Sequence, residues 1–91
     1  MRPLAHAVPA ALQQLLRPAP LSEGKVAFAW NAAVGPAVAR ATAVKLCEGV
    51  LIVETSSVQW AREIRRSSGV ILSRLQALLG DDIVTSISVR T

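Results

Sequence analysis

The stretch Val50-Leu51-Ile52-Val53-Glu54-Thr55-Ser56-Ser57-Val58-Gln59-Trp60-Ala61-Arg62-Glu63-Ile64-Arg65-Arg66, which continues through Ser67-Ser68-Gly69 to Leu79, decides the fold. Its opening residues are β-branched or aliphatic apart from Glu54, as a packed strand requires. Ser56 followed three residues later by Gln59 reads as a capping box, which satisfies the orphan amides at a helix start. Beyond it Trp60, Ile64, Ile71, Leu75 and Leu78 or Leu79 recur at helical spacing and make one apolar stripe. Arg62, Arg65, Arg66, Ser73 and Gln76 lie on the opposite side, so a strand runs straight into one long basic helix. Ser67-Ser68-Gly69 softens the middle of that helix.

Working back from the strand, Glu48-Gly49 is a two-residue link to a preceding alternating run, Thr42 to Cys47, and the pair reads as a tight hairpin. Gly35 is expected to end an earlier helix as a left-handed cap, with Pro36 opening a short helical piece through Arg40. That earlier helix runs from Glu23 to about Val34, with Ser22 as its N-cap and Val26, Ala29, Trp30 and Ala33 on one stripe. A shorter helix is expected around Val8 to Leu16, with Pro9 in its first turn. Arg17-Pro18-Ala19-Pro20 breaks it, because the residue before a proline avoids the helical region. Working forward, Gly80 caps the long helix and Asp81-Asp82 turns the chain. Ile83 to Arg90 alternates as a half-exposed strand, with Ile83, Thr85, Ile87 and Val89 on one side. The fold class that results is α+β, with helices on one face of a small three-stranded sheet in the order α-α-β-β-α-β.

A chain of 91 residues makes one domain, and 52% apolar residues are enough to fill its core. The net charge of +4 points toward a polyanionic partner, whether nucleic acid, an acidic protein face or anionic lipid. The single cysteine, Cys47, cannot form an internal disulfide, which fits a reducing compartment. No signal-peptide core follows Arg2 and no run is long and apolar enough to span a membrane, so a cytoplasmic protein is expected.

An enzyme reading fares badly. His6 is the only histidine and has no Cys or carboxylate cluster at metal-ligand spacing. Cys47 has no histidine in its segment to activate it, Asp81-Asp82 sits where a turn belongs, and no Gly-rich phosphate loop occurs. No cofactor, metal or small-molecule substrate is expected. Arg62, Arg65 and Arg66 are the stronger constellation, because guanidinium groups grouped within a turn or so of helix can hold phosphate oxygens in forked hydrogen bonds. Lys45 and Arg40 would widen that surface if the sheet edge lies nearby. The alternative is a charged face that only keeps the domain from aggregating. Trp30 and Trp60 are either core residues or anchors for a partner or a base, and their place on apolar stripes favours the core.

Taken together, Trp30-Asn31-Ala32-Ala33-Val34-Gly35, Glu48-Gly49-Val50-Leu51-Ile52-Val53, Ser56-Ser57-Val58-Gln59-Trp60-Ala61 and the Ile83-to-Arg90 strand resemble the DciA family over about residues 20–91. That resemblance implies a KH-like fold, association with a DnaB-type replicative helicase, assistance in loading it on DNA, and affinity for single-stranded DNA. Trp30 and Trp60 match the two family tryptophans, while the arginines rest on charge geometry alone. Two rival readings stand beside this one. The first is a generic KH-like RNA-binding module, against which the missing Gly-x-x-Gly loop counts. The second is an assembly domain whose charge is incidental.

Overall fold

The computed structural model describes residues 9–91. His6 and the start of the first expected helix, including Val8, lie outside the described residues. The elements run α1 (Ala10–Leu16), α2 (Glu23–Val34), α3 (Pro36–Arg40), β1 (Ala43–Cys47), β2 (Val50–Glu54), α4 (Val58–Arg66), α5 (Ser68–Leu79) and β3 (Ser86–Arg90). This is the expected α+β architecture, including the short helical piece from Pro36 to Arg40, with the long helix in two segments.

The strands form one sheet in the order β1-β2-β3, in which β1 is antiparallel to β2 and β3 is parallel to it. The hairpin turn has φ of 49° at Glu48 and 84° at Gly49, the pair of positive angles that a two-residue hairpin loop matched to strand twist needs. Gly49 also accepts hydrogen bonds at its carbonyl from the Thr85 amide (2.7 Å) and the Thr85 hydroxyl (3.2 Å), so the turn receives the chain as it enters β3.

The register places Val44 beside Val53 beside Val89, and Leu46 beside Leu51 beside Ile87. By the two-residue period these six side chains share one face, which the helices cover. Leu51 and Val53, on the central strand, are fully buried, and they join Trp30, Val34, Val38, Ile64, Ile71, Leu75 and Leu78 in the core. The other face carries Ala43, Lys45 and Cys47, then Val50, Ile52 and Glu54, then Ser86, Ser88 and Arg90, all exposed or half-buried, with no helix of the described residues over it.

Ser22 caps α2 as expected, accepting from the Lys25 amide at 3.1 Å, and Val26, Ala29, Trp30 and Ala33 are all buried. Trp30 is 2% exposed, and its indole N–H donates to the Thr42 hydroxyl at 2.8 Å, which in turn donates to the Val38 carbonyl at 2.8 Å. Trp30 is therefore a core residue with its one polar atom satisfied, tying α2 to the entry of β1.

Four local expectations change. The cap of α4 is Ser57, not Ser56: its hydroxyl accepts from the Trp60 amide at 3.2 Å. The helix starts one residue later because Thr55 is buried, with its hydroxyl donating to the Ala41 carbonyl (2.8 Å) and accepting from the Ser57 amide (3.1 Å). The long helix breaks at Ser67, which has φ −99° and ψ 12° and ends α4 while starting α5. Serines and a glycine hold a helix weakly, and the break lets α4 pack on β3 while α5 packs on α1 and α2. β3 begins at Ser86 because residues 81–83 form a turn closed by the Ile83 amide on the Gly80 carbonyl at 3.3 Å. That turn puts Val84 fully inside and Thr85 outside, against the alternation expected from Ile83 onward. Finally, Gly35 has φ 88° with ψ 164°, so it ends α2 in an extended conformation open essentially to glycine alone, not in a left-handed cap.

Candidate nucleic-acid interface

A cation that serves the fold and one that faces solvent look alike in sequence; the hydrogen bonds separate them. Lys25 is 8% exposed, and its ammonium donates to the carbonyls of Arg17 (3.1 Å) and Ala19, so it fastens the connector between α1 and α2. Arg74 of α5 donates to the Ala33 carbonyl at 2.9 Å and satisfies one of the four carbonyls left over at the end of α2. Neither residue stands out in the sequence, because a lone basic residue on an apolar helix reads as solvated; the fold-back of the connector onto Lys25 and the approach of α5 to the end of α2 are tertiary facts.

The three arginines of α4 divide in the same way. Arg65 donates from Nη2 to the Val89 carbonyl at 3.1 Å, although its side chain is exposed. Arg66 is 76% exposed at its side chain and meets Glu63 at 3.9 Å, the outer limit of an ion pair. A contact that long and that wet is worth no more than about 0.5 kcal/mol. Arg62 is exposed and makes no hydrogen bond or ion pair among the described residues. Arg62 and Arg66 are four residues apart, hence one above the other on the helix at about 6 Å. Two guanidinium groups thus project side by side from one face, with Arg65 braced beside them.

Trp60 falls on the other side of α4, about 160° from Arg62 at 100° per residue, next to the fully buried Ile64. It is half-buried and packs on the margin of the core. Gln76, grouped with the arginines by the periodicity, instead donates to the Val84 carbonyl at 3.0 Å and ties α5 to the approach of β3.

The remaining candidates are not gathered into the same patch. Lys45 is exposed on β1, the edge of the sheet opposite β3. It borders an open groove of about 520 Å³ between that strand and the start of α2, together with Leu21, Glu23, Val26 and Val44. Arg40 is exposed at the end of α3 and borders a different hollow at the end of the sheet, which it shares with Arg90. Cys47 is an exposed thiol on the edge strand β1. Among the described residues no three His, Cys, Asp or Glu side chains are grouped as a metal site would require, and no helix is long and apolar enough to cross a membrane.

Comparison with known families bears on the same chain. The model of the family described as "Dna[CI] antecedent, DciA" matches residues 3–89. The chain belongs to the DciA family. A UPF0232 protein of Mycolicibacterium smegmatis is 38% identical over 70 residues, covering 76% of this chain and 36% of that protein. One from Mycobacterium ulcerans is 36% identical over 70 residues, covering 76% and 37%, and one from Mycolicibacterium paratuberculosis is 35% identical over 72, covering 78% and 40%. A further M. smegmatis relative, 36% identical over 70 residues and covering 76% of this chain and 36% of its own length, is named for the recF-gyrB intergenic region. The chain spans well under half the length of these curated relatives. No solved structure matches it. Membership of the DciA family is consistent with a replication-related role.

Proposed function

We propose that this DciA-family domain is a noncatalytic adaptor of DNA replication that binds a DnaB-type helicase in the cytoplasm and assists its loading on single-stranded DNA. It acts as one KH-like module. Its α4 face meets the strand's phosphates, and ATP hydrolysis belongs to the helicase. The observation that carries the nucleic-acid half is the pair Arg62 and Arg66, exposed one turn apart on α4, the first without a partner among the described residues and the second with only a 3.9 Å contact. Guanidinium forks in that arrangement match phosphate oxygens and read no base, which suits a protein that must accept any sequence. The helicase half is supported by family membership and by a relative's name that sets it between recF and gyrB.

The test is a pull-down of purified DnaB-type helicase by this chain across rising salt, with helicase retention on circular single-stranded DNA measured in parallel. The adaptor reading predicts capture that survives physiological salt and increased retention on the circle. Capture of RNA in preference to DNA of the same sequence, with no helicase bound, would replace it by the RNA-binding reading, since such a preference requires contact with the 2′-hydroxyl.

A further inference from the structure

The row Ala43, Glu54 and Arg90 crosses the uncovered face of the sheet at its end, each residue beside the next in register. Ala43 is small, and together with Arg40, just before β1, this row borders an open hollow of about 480 Å³ that also takes in Thr55 and Ser56. Three features of the hollow bear on what fills it. The guanidinium groups of Arg40 and Arg90 have no hydrogen bond or ion pair among the described residues, even though Glu54 shares the hollow. The hydroxyl and amide of Ser56 are likewise without a partner, while the Thr55 hydroxyl is already committed to Ala41 and Ser57. Two cationic forks and one free hydroxyl, facing one side-chain carboxylate (Glu54) in a hollow that Thr91 also lines, suit an oxyanion.

The hollow also adjoins the α4 surface. Arg65 reaches the Val89 carbonyl, one residue before Arg90, so the bond at 3.1 Å fixes the end of α4 beside this end of β3. The α4 arginines therefore stand near the Arg90 side of the hollow, while Arg40 lies on its far side, across the end of β2. Lys45 is not part of this group, since it faces the opposite edge of the sheet.

We infer that the hollow between Arg40 and Arg90 binds a phosphodiester group of the same single strand that α4 engages. This rests on the single-strand reading above and adds a second contact, which sets a minimum strand length. A strand too short to reach from α4 to the hollow gains nothing from it. Glu54 weakens the site by facing the same phosphate and so favours release.

The experiment follows backbone amide resonances of the full chain during titration with oligo-dT of 12 nucleotides, and measures affinity of variants by fluorescence anisotropy. The expected result is that dT12 shifts both the Arg62–Arg66 amides and those of Thr55, Ser56 and Arg90. Replacing Arg40→Gln and Arg90→Gln together weakens dT12 binding roughly tenfold and makes the log–log salt slope shallower by about 1.4, the value for two single-strand phosphate contacts. Glu54→Gln tightens binding about threefold by removing the opposing charge, a gain that loss of folding cannot imitate. If dT12 shifts α4 but not the hollow, or the double variant melts and binds like the parent, the inference fails and the α4 reading stands. If inorganic phosphate shifts the hollow and dT12 does not, the site is one for a free anion and the inference fails. If dT12 shifts neither region, both fall together.

Discussion

The Arg65 guanidinium and the Val89 carbonyl meet at 3.1 Å, across the edge of the sheet that β3 leaves free. Arg90, the next residue, turns its carbonyl inward to accept from the Thr55 amide at 3.1 Å, so the Val89 carbonyl points out of the edge by alternation. An edge carbonyl that would otherwise invite another strand is thereby occupied by a charged side chain. Arg65→Ala should lower stability by no more than about 1 kcal/mol, the usual net value of one hydrogen bond. It should also increase self-association at high concentration. Denaturant unfolding and sedimentation velocity check the two halves.

Trp30 and Thr42 form the polar contact that links α2 to β1, at 2.8 Å with Trp30 2% exposed. Thr42→Val keeps the volume but leaves the indole N–H buried without an acceptor, so it should cost about 1–3 kcal/mol. Trp30→Phe removes the donor as well, and the double variant should lose less than the sum of the two single losses. Urea midpoints at unchanged m-value measure this.

Gly49 has φ 84°, and a Cβ there would come within 2.9 Å of the Thr85 hydroxyl oxygen. Gly49→Ala should therefore cost at least about 1–2 kcal/mol from the backbone conformation alone, with the clash added. Gly49→Ala combined with Thr85→Ala should relieve the clash and leave the backbone term. Thermal melts of the single and double variants separate the two contributions.

Lys25 holds the connector through the carbonyls of Arg17 and Ala19, while α1 itself buries no residue fully. Lys25→Met should release α1 well before the rest of the domain unfolds. Hydrogen exchange should show faster amides in residues 10–16 and unchanged ones in α5 and β2. Uniform acceleration across the domain would show that α1 is not a separately held unit.

What the sequence revealed, and what it hid, divides along local and tertiary lines. Ser22, the buried stripe Val26-Ala29-Trp30-Ala33 and the Glu48-Gly49 turn are readable because cap, period and turn chemistry act within a few residues. The break at Ser67 was visible as a weak point, but two separate packing partners for α4 and α5 are what turn a weak point into an end. Ser57 displaced Ser56 as the cap because Thr55 is bonded to Ala41, fourteen residues earlier, which no local pattern encodes. For the interface, the arginine face of α4 was legible from charge spacing. The bracing of Arg65, the diversion of Gln76 to Val84 and the separation of Lys45 from Arg62 follow from sheet order and from which helix lies over which strand. Arg90 carries no signal in the sequence, as a lone arginine at the end of an alternating strand, and gains one only from the hollow that it shares with Arg40.

The most direct test of the account is the salt dependence of single-stranded DNA binding by the parent chain and by Arg62→Ala/Arg66→Ala, followed by anisotropy. The variant should melt like the parent, bind the oligonucleotide at least tenfold more weakly near 100 mM salt, and lose about 1.4 from its log–log slope, as two lost phosphate contacts require. An unchanged affinity and an unchanged slope in a folded variant would contradict it.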